Sequence, residues 1–175
     1  YSFGCKPKEI ARRVADICSR ANFVMLGDFS RMDGHVNRAT RSVTEAIKRR
    51  YFDIQYHSEL NDLMQSQYNR KAVTSFDVLY DTMMSRLSGS PETSGDNTVE
   101  NIFLIYCAWR RTVKNKTHLG KPVYVGHSEA FANLKKALVG GDDSLAADLP
   151  MESYSRVCEN WGHCATGEVI KRGDR

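Results

Sequence analysis

Three carboxylates stand where metal chemistry would need them. The stretch Leu138-Val139-Gly140-Gly141-Asp142-Asp143-Ser144-Leu145-Ala146 sets apolar residues on both sides of a Gly-Gly-Asp-Asp core. It reads as a β-hairpin, with Gly140 and Gly141 free to take the positive φ of a tight turn. The tip would carry two adjacent anions that repel one another, and oxygen-only ligands of this kind suit Mg²⁺ or Mn²⁺. Alone, an Asp-Asp turn is equally an ordinary solvated turn. A second stretch changes the weight of that reading. The apolar run Phe23-Val24-Met25-Leu26 leads straight into Gly27-Asp28, which puts another carboxylate at the end of a buried strand. Asp28 beside Asp142 and Asp143 can clamp two divalent ions about 4 Å apart, an arrangement that activates one oxygen and stabilises another in phosphoryl transfer.

Helices and strands must hold these groups. Lys6 to Ala21 reads as a helix with Pro7 in its first turn and an apolar stripe of Ile10, Val14, Ile17 and Cys18. A helix follows His35 with Val36, Ala39, Val43, Ala46 and Ile47 on one face, and ends in Lys48-Arg49-Arg50. Ser58 to Gln67 has helical spacing. Thr74–Phe76 and Val78–Tyr80 suggest a small hairpin. The Gly/Ser/Pro-rich stretch from Ser88 to Gly95 is a loop, followed by a strong helix with Val99, Ile102, Phe103, Tyr106, Trp109 and Val113 on one face. Asn115 to Val125 reads as a loop with an edge strand, and Ser128 to Leu134 as a short helix. After the hairpin, Pro150 opens a helix stopped by Gly162, and Gly167 to Lys171 reads as a last strand. The order implies an α+β layer with helices packed on an antiparallel sheet.

The totals agree with one globular domain. The chain has 175 residues, 41% hydrophobic and 26% charged, with a net charge of +4. No apolar run approaches the ~20 residues of a membrane span. The chain begins at Tyr1 rather than Met, as a piece of a longer protein would. Five cysteines with no C-x-x-C spacing read as free thiols in a reducing compartment. Cys158, His163 and Cys164 lack an obvious fourth ligand for zinc.

The motifs together carry a family resemblance. Asp28-x-x-x-x-Asp33 resembles motif A of viral RNA-dependent RNA polymerases, Ser88-Gly89-x-x-x-Thr93-x-x-x-Asn97 resembles motif B, and Gly141-Asp142-Asp143 resembles motif C. The run from Ser30 to His35 and the group Arg86-x-Ser88-Gly89 are similar to those of tombus-, noda- and flavi-like positive-strand viruses. The resemblance spans roughly residues 22–171 and implies a polymerase palm with a ferredoxin- or RRM-like core. Segments derived from the fingers would fall at about 50–87, with the upstream fingers and downstream thumb outside the chain.

By that resemblance, Asp28 and Asp142 ligate two Mg²⁺ ions (Mn²⁺ being the alternative) with Asp143 in support. Asp33 and Asn97 read the ribose of the incoming nucleotide, assisted by Thr93. Ser88 and Gly89 form a loop that senses template and nucleotide. Lys171, as a motif D lysine, donates a proton to pyrophosphate. Asn97 has a plainer reading as a cap near the start of the long helix. The implied partners are an RNA template, a primer or nascent strand, nucleoside triphosphates, the rest of the polymerase and other viral replication proteins. The implied location is the host cytoplasm, at virus-induced membrane replication sites.

Two rival readings remain at this stage. A reverse transcriptase-like palm would carry a bulky aromatic five residues after the first Asp and another two residues before Asp143; this chain has Asp33 and Gly141 there. A catalytically inactive palm-like module that only binds RNA would gain nothing from clustered carboxylates, which phosphates repel.

Overall fold

The structure is a computed structural model and describes residues 2–174. Its centre is an antiparallel four-stranded sheet in the order β6-β7-β1-β8. Strand β1 is Phe23–Phe29, β6 is Ala137–Gly140, β7 is Asp143–Ala147 and β8 is Ala165–Lys171. The α+β class expected from the sequence is the one observed.

Alternation along β1 sorts its side chains between two faces. Met25 and Phe29 enter the main core with Val139 and Ala146. Two helices cover that face: α5 (Thr93–Arg111) through Leu104, Ile105 and Ala108, and α7 (Met151–Asn160) through Tyr154, Val157 and Cys158. Val24 and Ala147 face the other way, where Ala21 and Ile17 of the α1 region (helix Pro7–Arg20) meet them. Because β1 is buried on both faces over Val24 and Met25, it reads in sequence as a continuous apolar run. Its polar end, Asp28, is exposed.

The hairpin between β6 and β7 is tighter than its four-residue core suggests. Gly140 pairs with Asp143, so Gly141 and Asp142 alone make the turn. Only Gly141 takes a positive φ, 71°, as the first central residue of a type II′ turn must. Gly140 is small for another reason: a Cβ there would overlap the hydroxyl of Ser2.

Helix α5 clamps this turn. Thr98 Oγ1 accepts a hydrogen bond from the Gly141 N–H at 2.7 Å. Asn101 Nδ2 donates to the Asp142 carbonyl at 2.9 Å and reaches the Gly141 carbonyl at 3.3 Å. Asn101 Oδ1 in turn accepts from the Tyr154 hydroxyl at 2.9 Å. Asn101, fully buried, thus ties the turn to both covering helices.

Elsewhere the chain departs from expectation in three places. The small hairpin is β2 (Lys71–Val73) with β3 (Leu79–Asp81). Thr74 does not open a strand: its Oγ1 accepts from the Phe76 and Val78 N–H groups and closes a turn with Asp77 at φ 57°. Side-chain bonding of this local kind competes with strand pairing. Helix α5 begins at Thr93, so Asn97 lies inside it rather than at its cap. The segment after α5 is a bulged hairpin, β4 (Val113–Lys116) with β5 (Pro122–Tyr124), leading to α6 (His127–Asn133). Three further α-helices lie between β1 and α5: the short α2 (Met32–His35), α3 (Arg38–Tyr51) with a capping box made by Asn37 and Thr40, and α4 (His57–Gln65).

Replacing Asn101 by Leu keeps the volume but leaves the Asp142 carbonyl and the Tyr154 hydroxyl without their partner. The expected loss is about 2–3 kcal/mol, from the desolvation of buried polar groups. Thermal unfolding of Asn101→Leu beside Tyr154→Phe measures it, with Tyr154→Phe losing less because its partner amide keeps its bond to the turn.

Candidate active site

The sheet register brings the carboxylates together. Leu26 faces Leu145 and Gly27 faces Ser144 across β1 and β7. Continuing by one residue sets Asp28 beside Asp143 on the same face, at the separation of directly opposed side chains, about 5 Å. Asp142 adjoins them in the turn. Asp28, Asp142 and Asp143 are all exposed. Asp28 Oδ1 accepts from the Phe29 N–H at 2.8 Å, which anchors that carboxylate locally. Partial burial, then the charges of Asp142 and Asp28, push the Asp143 carboxyl above its ordinary range. A site that resists its own ionisation gains from a bound cation. Hard oxygen donors on an exposed strand end fit a divalent ion. Among the described residues no three His, Cys, Asp or Glu side chains close into a metal cage.

Two clefts flank this end of the sheet. One, of about 690 Å³, runs over the open face and is lined by Asp28, Asp143, Leu26, Leu138 and Leu145. The other, of about 600 Å³, is lined by Asp142 and Gly141 together with Asp33, Ser88, Gly89, Thr93 and Asn97. The three carboxylates therefore separate two clefts, and every residue expected to contact sugar or nucleotide lines the second.

Within that cleft Asp33, Ser88, Thr93 and Asn97 are already hydrogen-bonded. Asn97 Nδ2 donates to Asp33 Oδ1 at 2.9 Å. The Ser88 hydroxyl donates to Asp33 Oδ2. Thr93 Oγ1 donates to the Leu87 carbonyl at 2.8 Å and fixes the loop against the first turn of α5. Gly89, at φ 86°, occupies the left-handed region that an ordinary residue avoids. Arg31, also left-handed at φ 54°, precedes α2 and lines the same cleft.

Lys171 is not part of this arrangement. It pairs with Phe23 at the far end of β1, whereas Asp28 pairs with Thr166. Five residues of strand separate the two positions, about 17 Å at ~3.3 Å per residue. The expectation of a proton donor at Lys171 is therefore corrected. Chain distance after α7 was a fair guide to position only until β8 turned away from the carboxylates.

Sequence reasoning also missed residues. Thr98, Asn101 and Tyr154 hold the turn, and Arg86 holds Asn97. One signal was present: Thr93, Asn97 and Asn101 recur at four-residue spacing, which puts three polar side chains on one face of the helix.

Comparison with known proteins places the chain in a family. The family model described as viral RNA-dependent RNA polymerase matches residues 2–165. The chain belongs to that family. It is 33% identical over 160 residues to the RNA-directed RNA polymerase of Pieris rapae virus, covering 90% of this chain and 14% of that protein. It is 32% identical over 161 residues to that of Nodamura virus (strain Mag115), covering 91% of this chain and 14% of the relative. The chain thus spans about a seventh of the length of these relatives. The crystal structure of the RNA-dependent RNA polymerase of a human picorbirnavirus shares the fold, with a TM-score of 0.71 at 16% identity, covering 93% of this chain and 29% of that one. Members of the family generally use divalent metal ions.

The raised Asp143 carboxyl sets a pH dependence. A carboxyl with a folded pKa above its unfolded value stabilises the fold at low pH and loses that contribution as pH rises through the folded value. Metal-free protein should therefore gain thermal stability from Asp143→Asn at neutral pH. Mg²⁺ should raise the melting temperature of the unsubstituted protein at neutral pH, and do so less as pH falls toward the carboxyl range. Melting curves with Mg²⁺ or a chelator across pH check both; a Mg²⁺ response that grows on acidification would contradict the assignment.

Proposed function

We propose that this chain is the catalytic palm of an RNA-directed RNA polymerase that transfers ribonucleotides from nucleoside triphosphates to an RNA 3′ end under an RNA template. One observation carries the reading: three carboxylates gather at one end of the sheet, and one of them, Asp142, lines the cleft in which Asp33 and Asn97 form a polar pair.

In this reading Asp28, Asp142 and Asp143 hold two Mg²⁺ ions, which when bound lower the charge on the attacking and leaving oxygens. The chain itself supplies position. The α5 clamp on Gly141 and Asp142 sets the height of the turn, and the strand register sets Asp28 beside Asp143. Asp33 and Asn97 read the sugar. A 2′-hydroxyl both donates and accepts, so it can donate to Asp33 and accept from Asn97 Nδ2. The existing Asn97–Asp33 bond then opens to admit it. Ser88, bonded to Asp33, and Gly89 with its unusual φ make the loop that responds when Asp33 changes partner. Thr93 anchors that loop.

The partners in this reading are the RNA template and nascent strand, nucleoside triphosphates and other regions of the polymerase. Exposed apolar side chains between residues 51 and 83, among them Tyr51, Ile54, Phe76, Leu79 and Met83, suit a finger-like segment packed against such regions. The place of work is the host cytoplasm, at membrane-bound replication sites. Among the described residues no helix is long and apolar enough to cross a membrane.

The test uses the full-length polymerase. Asp28→Asn and Asp142→Asn should each reduce RNA-templated incorporation to background with the melting temperature retained, and Asp143→Asn should be milder. Incorporation near the unsubstituted rate by Asp142→Asn would refute the catalytic assignment. Asn97→Ala should lower the preference for ribo- over 2′-deoxynucleotides by roughly tenfold, the worth of one hydrogen bond of about 1–2 kcal/mol to a well-matched group.

A further inference from the structure

Arg86 is the least exposed cation of the chain's site region, with none of its side chain accessible. Three contacts define its place. Its backbone N–H donates to the Asp33 carbonyl at 2.9 Å. Its Nη1 donates to Asn97 Oδ1 and also to Glu100 Oε2 at 3.3 Å. Its Nη2 lies 3.8 Å from Asp96 Oδ2. Among the described residues Nε and Nη2 have no hydrogen-bond partner, so its directional side-chain bonding goes to Asn97 and Glu100.

We propose that Arg86 is a positioning residue for sugar selection, which fixes the Asn97 amide with its oxygen inward and its NH₂ group toward Asp33 and the incoming 2′-hydroxyl. The proposal rests on the ribose-reading role of Asp33 and Asn97 given above.

The chemistry of the donors decides the orientation. A guanidinium has five N–H donors and no acceptor, and an ionised carboxylate only accepts. Asn97 lies between one of each. With Oδ1 toward Arg86 and Nδ2 toward Asp33, both contacts are donor to acceptor. A flipped amide would face Arg86 with N–H against N–H and Asp33 with oxygen against oxygen, and both contacts would be lost together. Orientation matters for the sugar because a 2′-hydroxyl has one proton. The site as oriented offers it one acceptor, Asp33, and one donor, Asn97. A flipped Asn97 would offer two acceptors to one proton.

The surroundings make Arg86 a fixed reference. Asp96 and Glu100 stand four residues apart on α5 and so share a face. Lys48 Nζ meets Asp96 at 2.8 Å, and His163 Nε2 donates to Glu100 Oε1 at 2.6 Å. Each acid is thus held from two sides. The same residue also bonds the Asp33 backbone, so both members of the sugar-reading pair are referenced to Arg86.

A plain structural role would be to neutralise Asp96 and Glu100. The two roles separate in kinetics. In the full-length polymerase, Arg86→Gln should lower kcat/KM for ribonucleotides about tenfold and for 2′-deoxynucleotides much less, because only the former use the 2′ contact. Gln can turn either an oxygen or an NH₂ toward Asn97 and no longer dictates its orientation. The paired variant Arg86→Gln with Glu100→Gln removes one cation and one anion together, keeps the buried charge balanced and should show the same fall in the ribo-to-deoxy ratio. In an Asn97→Ala background, neither change should alter the ratio further. A folded single or paired variant that slows both nucleotides in parallel at an unchanged ratio, while Asn97→Ala does lower the ratio, would overturn the role of Arg86 alone. An Asn97→Ala enzyme with an unchanged ratio would instead overturn the ribose reading on which it rests.

Discussion

The balance of charge around the buried Arg86 is the constraint from which the rest of the site follows. A guanidinium with no access to water costs several kcal/mol unless its charge and donors are met. The chain meets them from one helix, with Asp96 and Glu100 on the same face of α5. That solution brings two buried acids, which need cations or donors of their own. Lys48 from α3 and His163 from the loop after α7 supply them. Elements far apart in sequence are thereby locked to the first turns of α5, where Asn97 stands. The Ser30 N–H, at the end of β1, donates to the Cys164 carbonyl at 2.9 Å and fastens the same loop to the strand that carries Asp28. Ionic pairing of this kind gives little net stability over a well-packed apolar core, but breaking one partner is costly. Its value here lies in geometry.

The carboxylate end obeys the opposite rule. Asp28, Asp142 and Asp143 are left exposed, and among the described residues no basic side chain forms an ion pair with them to relieve their mutual repulsion. The fold compensates through the backbone. Strand pairing and the Thr98 and Asn101 clamps hold the peptide groups of the turn, and the charged side chains are free to meet a cation. Closely spaced glycines serve the same end. A Cβ on Gly27 would come within 2.8 Å of the Ser144 hydroxyl and 3.0 Å of the Tyr154 ring, and one on Gly167 would collide with the Leu26 carbonyl. Bulk on Gly27 would disturb the seam between β1 and β7, on which Asp28 and Asp143 ride, and bulk on Gly167 would push β8 away from β1.

These two regions differ in how far the sequence discloses them. The hairpin, the strand before Asp28 and the existence of the helices announce themselves by an apolar run, a glycine at the turn and 3.6-residue spacing, all local signals. Spacing misplaced the buried faces, however: α3 buries Thr40, Arg41 and Thr44, α5 buries Leu104, Ile105 and Ala108, and Val113 belongs to β4. The placement of Asp33, Ser88, Thr93 and Asn97 in one cleft follows from motif order by resemblance. The contacts that make the site work are not local. Nothing in the neighbourhood of Arg86 in sequence indicates that its side chain ends between Asn97 and Glu100. Asn101 looks like an ordinary interruption of the apolar face of α5 until the turn appears opposite it. The error at Lys171 has the same origin. The helix and strand after the hairpin were both legible, but only the pairing of β8 with β1 fixes which end of the strand lies near Asp28.

Helix α5 is where the two regions become one device. Asn97 and Asn101 lie one turn apart on the same face, about 6 Å along the axis. The upper amide donates to the Asp33 carboxylate and the lower one donates to the carbonyl of Asp142. A rotation or slide of α5 would move both amides by the same amount. The Asn97–Asp33 pair and the position of the Asp142 turn therefore cannot be adjusted separately by moving the helix. Sub-ångström shifts in a packed core tend to resolve into alternative packings rather than continuous drift. In the proposed reading, a 2′-hydroxyl that draws Asn97 away from Asp33 would act on the same helix that sets the height of Asp142, a physical route by which the sugar could bear on the placement of that carboxylate.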